Sequence, residues 1–181
     1  MKNLLKTTIV TAALAGLALG TTTASAGDYN KMKKADIVET AVATPDLSTL
    51  VAAVTQADLV TTLQSDGPFT VFAPTNAAFD KLPDGTVATL LKDENKPKLA
   101  NILTYHVVGA KVKSGKLMGL IKANDNHFDI EMVNGGTLAA SIVDGSIILT
   151  DENGGTSKVV AADVKTSNGV VHVIDTVVLP N

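Results

Sequence analysis

The chain contains no cysteine and no tryptophan, and all 15 of its Lys+Arg positions are lysine, so arginine is absent too. Without cysteine there can be no disulfide, no thiol nucleophile, no thiolate metal site and no lipoprotein anchor, and stability must come from packing alone. Arginine is the preferred residue for bidentate contacts to phosphate and guanine. Its absence, with aromatics at only 3% of residues and so few rings to stack bases, excludes a nucleic-acid binder. Catalytic signatures are missing as well: no G-x-S-x-G elbow, no H-E-x-x-H or H-x-H pair and no phosphate-loop glycine pattern occurs.

What is present begins with a three-part N-terminus. Lys2 and Lys6 precede an apolar stretch, Ile9 to Leu19, and Ala24-Ser25-Ala26 follows with small residues at the cleavage positions. This is the pattern of a cleaved secretory signal, and the apolar stretch is shorter than the roughly 20 residues a membrane span needs. The short positive start and alanine-rich stretch read as bacterial. Residues 1–26 are therefore expected to be a signal peptide, 27–35 a flexible leader, and 36–181 one domain. Of the 181 residues, 155 remain after cleavage, enough for one core. Thirteen lysines then face 18 acids, a net charge of −5.

The mature chain changes texture halfway. Asp36 and Glu39 form a capping-box pattern, and Thr44-Pro45-Asp46 starts a second helix whose apolar face is Leu47, Leu50, Val51 and Val54. A third helix is expected over 57–64 and a strand over Phe69–Phe72, stopped by Pro74. Thr75 caps the next helix. A short helix over 87–91 follows, and then one from Asn95 or Lys96 to about Tyr105. From His106 onward the reading is strands, at 106–109, 128–133, 137–143, 146–150, 158–164 and 170–178. Hairpin signals stand at Gly135-Gly136, Asp144-Gly145 and Asn153-Gly154-Gly155. Helices first and strands later predict an α+β fold with N-terminal helices packed on a largely antiparallel sheet. The last strand is apolar on both faces, which predicts a central position.

Three segments together resemble the fasciclin (FAS1) domain family, in its single-domain secreted bacterial form: Phe69 through Phe79, Tyr105-His106 at a helix end, and Asn168 through Pro180. Their order and spacing cover nearly the whole mature chain. The resemblance implies an exported, non-enzymatic module for cell adhesion, or for binding a cell-surface or extracellular-matrix component. It implies secreted or periplasmic localisation, a protein or matrix partner, no nucleic acid and no membrane span after cleavage, and it leaves room for a weak homo-oligomer. Matching the family's motifs are Thr75, Asn76, Tyr105, His106, Asn168, Gly169, His172 and Asp175, expected to be structural. Asp163, followed by Val164, matches an Asp-Ile pair implicated in integrin binding in some animal domains and is carried over as a weak surface-binding candidate. A solvated acid at a strand end is the plainer expectation for it.

The histidines are the remaining temptation. His106 and His172 are expected as buried, neutral and hydrogen-bonded to backbone, and His127 as exposed in a turn. His172 and Asp175 stand three apart in a strand, on opposite faces, so they cannot form a dyad. Asp151 to Gly155 is expected as a solvated hairpin, with loops 124–127 and 151–157 exposed. Neither a cofactor nor a metal is expected. The alternative reading is an envelope carrier of a small ligand or lipid, which would need a deep apolar pocket.

Overall fold

The computed structural model describes residues 34–181; the expected signal peptide, and all but the last two residues of the expected leader, lie outside them. The first helix, α1 (Ile37–Val42), starts where Asp36 accepts from the Glu39 N–H while the Glu39 carboxylate accepts from the Asp36 N–H. This reciprocal pairing satisfies two of the donors a helix start leaves open. A 3-10 turn at Pro45–Leu47 leads into α2 (Ser48–Gln56), which buries Leu50, Ala53 and Val54. The third helix, α3 (Val60–Gln64), is shorter than expected, because Asp58 turns the chain with φ of 56° before the helix can form.

Strand β1 (Phe69–Pro74) runs through the expected proline and is followed by α4 (Asn76–Asp80), capped by the Thr75 hydroxyl on the Ala78 N–H. Two helices follow, α5 (Thr86–Leu90) and α6 (Lys96–Thr104), then the two-residue strand β2 (Val107–Val108). The sequence reading missed α7 (Ser114–Ala123). Gly115 and Gly119 lower its helix propensity, yet Leu117 and Ile121, one turn apart, are both fully buried. The remaining strands are β3 (Phe128–Glu131), β4 (Thr137–Val143), β5 (Ser146–Thr150), β6 (Thr156–Lys165) and β7 (Gly169–Ile174). The tip between β4 and β5 is Asp144-Gly145 with both φ values positive, as a type I′ hairpin requires.

The seven strands lie in the order β2-β1-β7-β6-β5-β4-β3. All neighbours are antiparallel except β1 and β7, which pair in parallel with Phe72 opposite His172. The two longest motif segments thus lie side by side, and the last strand is central. It ends at Ile174 rather than near residue 178. The sheet curls until its outer strands nearly meet, where the Val133 N–H donates to the Val107 carbonyl at 2.8 Å. The alternating side chains of β1 and β7 divide the apolar interior in two. One cluster packs Val71, Val107 and Val171 under the helices, with Leu50, Leu99 and Leu103. The other fills the curl with Phe72, Tyr105, Leu117, Leu138, Leu149 and Ile174.

Candidate functional site

Backbone contact sets the frame. A Cβ added to Gly169 would lie 2.2 Å from the Phe69 carbonyl oxygen, and one added to Gly67 would lie 2.0 Å from the Asn168 oxygen. Only glycine lets the chain ends of β1 and β7 approach so closely. Beside this junction the Asn168 side chain joins three elements. Its oxygen accepts from the Ile37 N–H at the start of α1, and its amide donates to the Leu63 and Ser65 carbonyls at the end of α3. Asn76 does the same one element away: its oxygen accepts from the Thr49 N–H while its amide donates to the Pro45 carbonyl and the Ser48 hydroxyl. The two asparagines hold α1, α2 and α3 at fixed positions over β1.

Those helices leave an apolar cleft. Its walls are half-buried Val38 and Ala41 of α1, Val51 of α2, and Leu59 and Val60 at the start of α3, with Phe69 of β1 beside them and His106 contributing to the lining. Thr55, Thr62 and Thr104 give the lining its hydroxyls. The free volume is about 60 Å³, enough for one aliphatic group of a partner. Sequence reading treated several of these residues as ordinary core positions and could not see that they stop short of closing over one another.

Both motif histidines are buried, each about 1% exposed. In His106, Nδ1 lies 2.8 Å from the Ile102 carbonyl and therefore carries the proton, while Nε2 accepts a long bond, 3.4 Å, from the Val178 N–H. Burial pulls its pKa down to about 4, against the opposing pull of the Ile102 carbonyl, so it is neutral at pH 7. Tyr105, also buried, donates its hydroxyl to the Thr137 carbonyl at 2.6 Å and accepts from the Glu152 N–H. Burial raises its pKa.

Around His172 the structure brings together a serine, an aspartate and a histidine that sequence spacing did not connect. The Ser114 hydroxyl donates to Asp163 Oδ2 at 2.5 Å, and the Asp163 N–H points at His172 Nδ1, 3.3 Å away. The wiring is not that of a nucleophile and base. His172 Nε2 faces the Val112 carbonyl at 2.8 Å and must donate there, and the serine is bonded to the carboxylate instead of the imidazole. A catalytic serine needs the imidazole as its acceptor. The ring stacks on Phe72, with centroids 5.6 Å apart.

Asp163 does not stand free in solvent as the plainer reading expected. It occupies an irregular stretch of β6 with φ of 58°, and its Oδ1 accepts from the Ser114 N–H. It caps α7 from 49 residues away, supplying the acceptor that Lys113 at the N-cap cannot. The Ser114 hydroxyl is the main reason its pKa is lowered. Asp175 lies on the other side of the motif. Its Oδ1 accepts from the Lys158 N–H and the Thr176 hydroxyl, and Lys81 stands 3.5 Å from Oδ2.

In the hairpin at Asp151, residues 152–156 are exposed as expected, but the two residues that flank them are not. Asp151 is buried and its carboxylate accepts from the N–H groups of Asn153, Gly155 and Leu179. Ser157 is buried as well and exchanges bonds with Thr176. The turn is therefore a clasp on the C-terminal segment. His127 is exposed and pairs with Asp129 at 2.9 Å. Among the described residues no group of three or more His, Cys, Asp or Glu side chains is arranged to hold a metal, and no helix is long and apolar enough to cross a membrane.

A curled, mostly antiparallel sheet with helices over one face and a Tyr-His pair at the helix end defines the architecture, and comparison with known proteins gives it a family. The fasciclin domain matches residues 45–180, and the chain belongs to that family. It is 42% identical to Protein sll1483 of Synechocystis over 180 residues, covering 93% of each chain. It is 39% identical to the transforming growth factor-beta-induced protein ig-h3 of the pig over 133 residues, 74% of this chain and 17% of that one. Among solved structures it resembles a FAS1 domain pair from the insect cell adhesion molecule Fasciclin I, with a TM-score of 0.71 at 16% identity over 80% of this chain and 51% of that chain.

Proposed function

We propose that this chain is an exported, non-enzymatic interaction module that attaches to a protein or matrix component through the apolar cleft bounded by α1, α2 and α3. The observation that carries the reading is the cleft itself. Apolar side chains with little polar company, held open by Asn168 and Asn76, suit the anchor residue of a partner, and such anchors supply most of the energy of protein interfaces. Export is supported by the signal pattern over residues 1–26, with a mature N-terminus at or near Gly27. Adhesion as the purpose is supported by family membership and by the fold's likeness to Fasciclin I, an insect cell adhesion molecule.

At the cleft, the envelope-carrier reading is weaker on volume. About 60 Å³ is several-fold below the roughly 300–1,000 Å³ of small-molecule pockets. A domain of this size offers a partner on the order of 800 Å², so each contact is weak and attachment needs many copies acting together. The test compares dense display of the mature domain on beads with soluble monomer, measuring attachment to host cells and matrix, with Val38→Asp as the cleft variant. Dense display should bind, monomer should compete poorly, and Val38→Asp should abolish attachment while the protein stays folded. Undiminished attachment by Val38→Asp would remove the cleft from the reading. A small molecule co-purifying in stoichiometric amount would replace the reading with the carrier.

A further inference from the structure

The curled sheet does not close. Its two outer strands, β2 and β3, meet only at their tips, through the one backbone bond found across the gap among the described residues, Val133 N–H to Val107 carbonyl. Away from that bond a groove of about 550 Å³ opens between Gly109 and Ala110 on one side and β3 on the other, with Val112, Lys116 and Leu120 along it. The gap is built in. Thr70, fully buried, donates its hydroxyl to the Ala110 carbonyl at 2.6 Å and accepts from the Val112 N–H at 2.8 Å. These two bonds hold the chain after β2 toward β1 and end β2 after two residues, leaving β3 without a second neighbour.

The free edge has a definite chemistry. In an antiparallel strand, alternate residues turn their N–H and C=O toward one neighbour and then the other. The Met132 N–H donates to the Gly136 carbonyl on the β4 side, and the Val133 N–H points across the gap. By that alternation the backbone groups of Asp129 and Glu131 also face the gap. At about 3.4 Å per residue the free edge from Asp129 to Val133 is roughly 14 Å long. Side chains alternate as well. Ile130 and Met132 are buried in the curl, while Asp129 and Glu131 are exposed carboxylates.

We propose that this edge is an acceptor for an extended polypeptide segment in which apolar residues alternate with lysine or arginine. Such a segment adds a strand beside β3, as exposed sheet edges accept peptides. Its backbone pairs with Asp129 and Glu131. Its apolar side chains turn inward onto Val112, Leu120 and Phe128, and its basic side chains lie across from Glu131 and from Asp129, which His127 already contacts, where opposite charges stabilise a cross-strand pair. The site shares only Val133 with the cleft under α1 and does not depend on it.

The test uses the isotope-labelled mature protein and a synthetic peptide of about seven residues alternating valine and lysine. Amide resonances of Gly109, Asp129, Glu131 and Val133 should move on titration, and the Asp129 and Glu131 amides should become protected from hydrogen exchange. Glu131→Lys should weaken binding about fivefold, the value of one cross-strand charge pair. Glu131→Pro, which removes an outward N–H from an edge strand that can tolerate proline, should weaken it about two- to tenfold, the factor that follows from losing one main-chain bond. Val38→Asp should leave binding unchanged. Three results would overturn the proposal: equal binding of a peptide with the same residues but its lysines contiguous, shifts confined to the helical cleft, or movement of the edge amides on concentration alone, which would make the edge a surface for a second copy.

Discussion

The two apolar clusters on either side of β1 and β7 are built from similar residues and differ in closure. Inside the curl, Tyr105, Leu117, Ile121, Leu138, Leu149 and Ile174 have no exposed surface, and buried polar groups are matched: among the described residues no buried side-chain nitrogen or oxygen lacks a partner. Under the helices, Val38, Ala41, Leu59 and Val60 pack only partly against the core and leave the cleft. Closure costs adaptability, because a filled interior has no room to accept a partner. Incomplete closure keeps apolar surface in reserve, and in a small domain that surface is where an interaction can be strong. The interior of the curl, away from its open edge at β3, should therefore govern stability, and the cleft under the helices binding.

The junction both halves share should give the largest effect. Gly169→Ala puts a methyl group 2.2 Å from a backbone oxygen, and neither strand can move without disturbing both clusters. We expect a loss of about 3 kcal/mol or more, read as the midpoint of urea unfolding. Gly119 in α7 is the control: nothing lies within 4 Å of its added Cβ, and Gly119→Ala should stabilise by up to about 1 kcal/mol through helix propensity. A similar small effect at both sites would contradict the close-packed junction.

Acid should act next, through His106. Its folded pKa is about 4, lowered by burial from 6.5. Between those values the unfolded chain binds a proton that the folded chain does not, so stability falls as pH falls. The contribution is complete above about pH 6.5 and lost by about pH 4, on the order of 3 kcal/mol. Unfolding midpoints across that window should show the slope, and His106→Gln should flatten it. An unchanged slope in that variant would assign the acid sensitivity to other groups.

His172→Ala should cost roughly 1–3 kcal/mol, by leaving a cavity beside Phe72 and the Val112 carbonyl without its donor. Retained melting temperature with loss of a specific binding partner would instead make this histidine a contact residue.

Much of the fold could be read from the sequence because its signals are local. The capping box at Asp36, the hairpin at Asp144-Gly145 and the Thr75 cap each lie within a few residues, and the run of β-branched residues in β7 announced a central strand. What escaped was long-range. The start of α7 depends on Asp163, 49 residues later in sequence, so neither the helix nor the role of that aspartate had a local signature. Leu117, Leu120 and Ile121 offered the helical spacing that could have revealed it. Asp151 read as a turn acid because its acceptor role reaches Leu179, 28 residues on. The cleft was illegible for a different reason. Val38, Val51 and Val60 have the same pattern as core residues, and whether such side chains meet depends on how Asn168 and Asn76 set the helices.

The smallest stability effect should accompany one of the clearest binding effects, and it lies in the cleft. Val60→Thr keeps the shape of the side chain and replaces a methyl with a hydroxyl. In the free protein Val60 is half-buried beside an open space, so the hydroxyl can remain hydrated, and the expected loss of stability is below about 1 kcal/mol. When a partner's apolar side chain fills the cleft, water is expelled and the hydroxyl is left without a bond, at a cost of about 1–3 kcal/mol. Binding measured on densely displayed protein should therefore fall by more than unfolding stability does, and the difference should grow with the number of linked contacts. A substitution inside the curl, such as Ile174→Thr, should show the reverse ratio. Equal losses in stability and binding at Val60 would mean that the cleft is core left slightly open, with no partner to fill it.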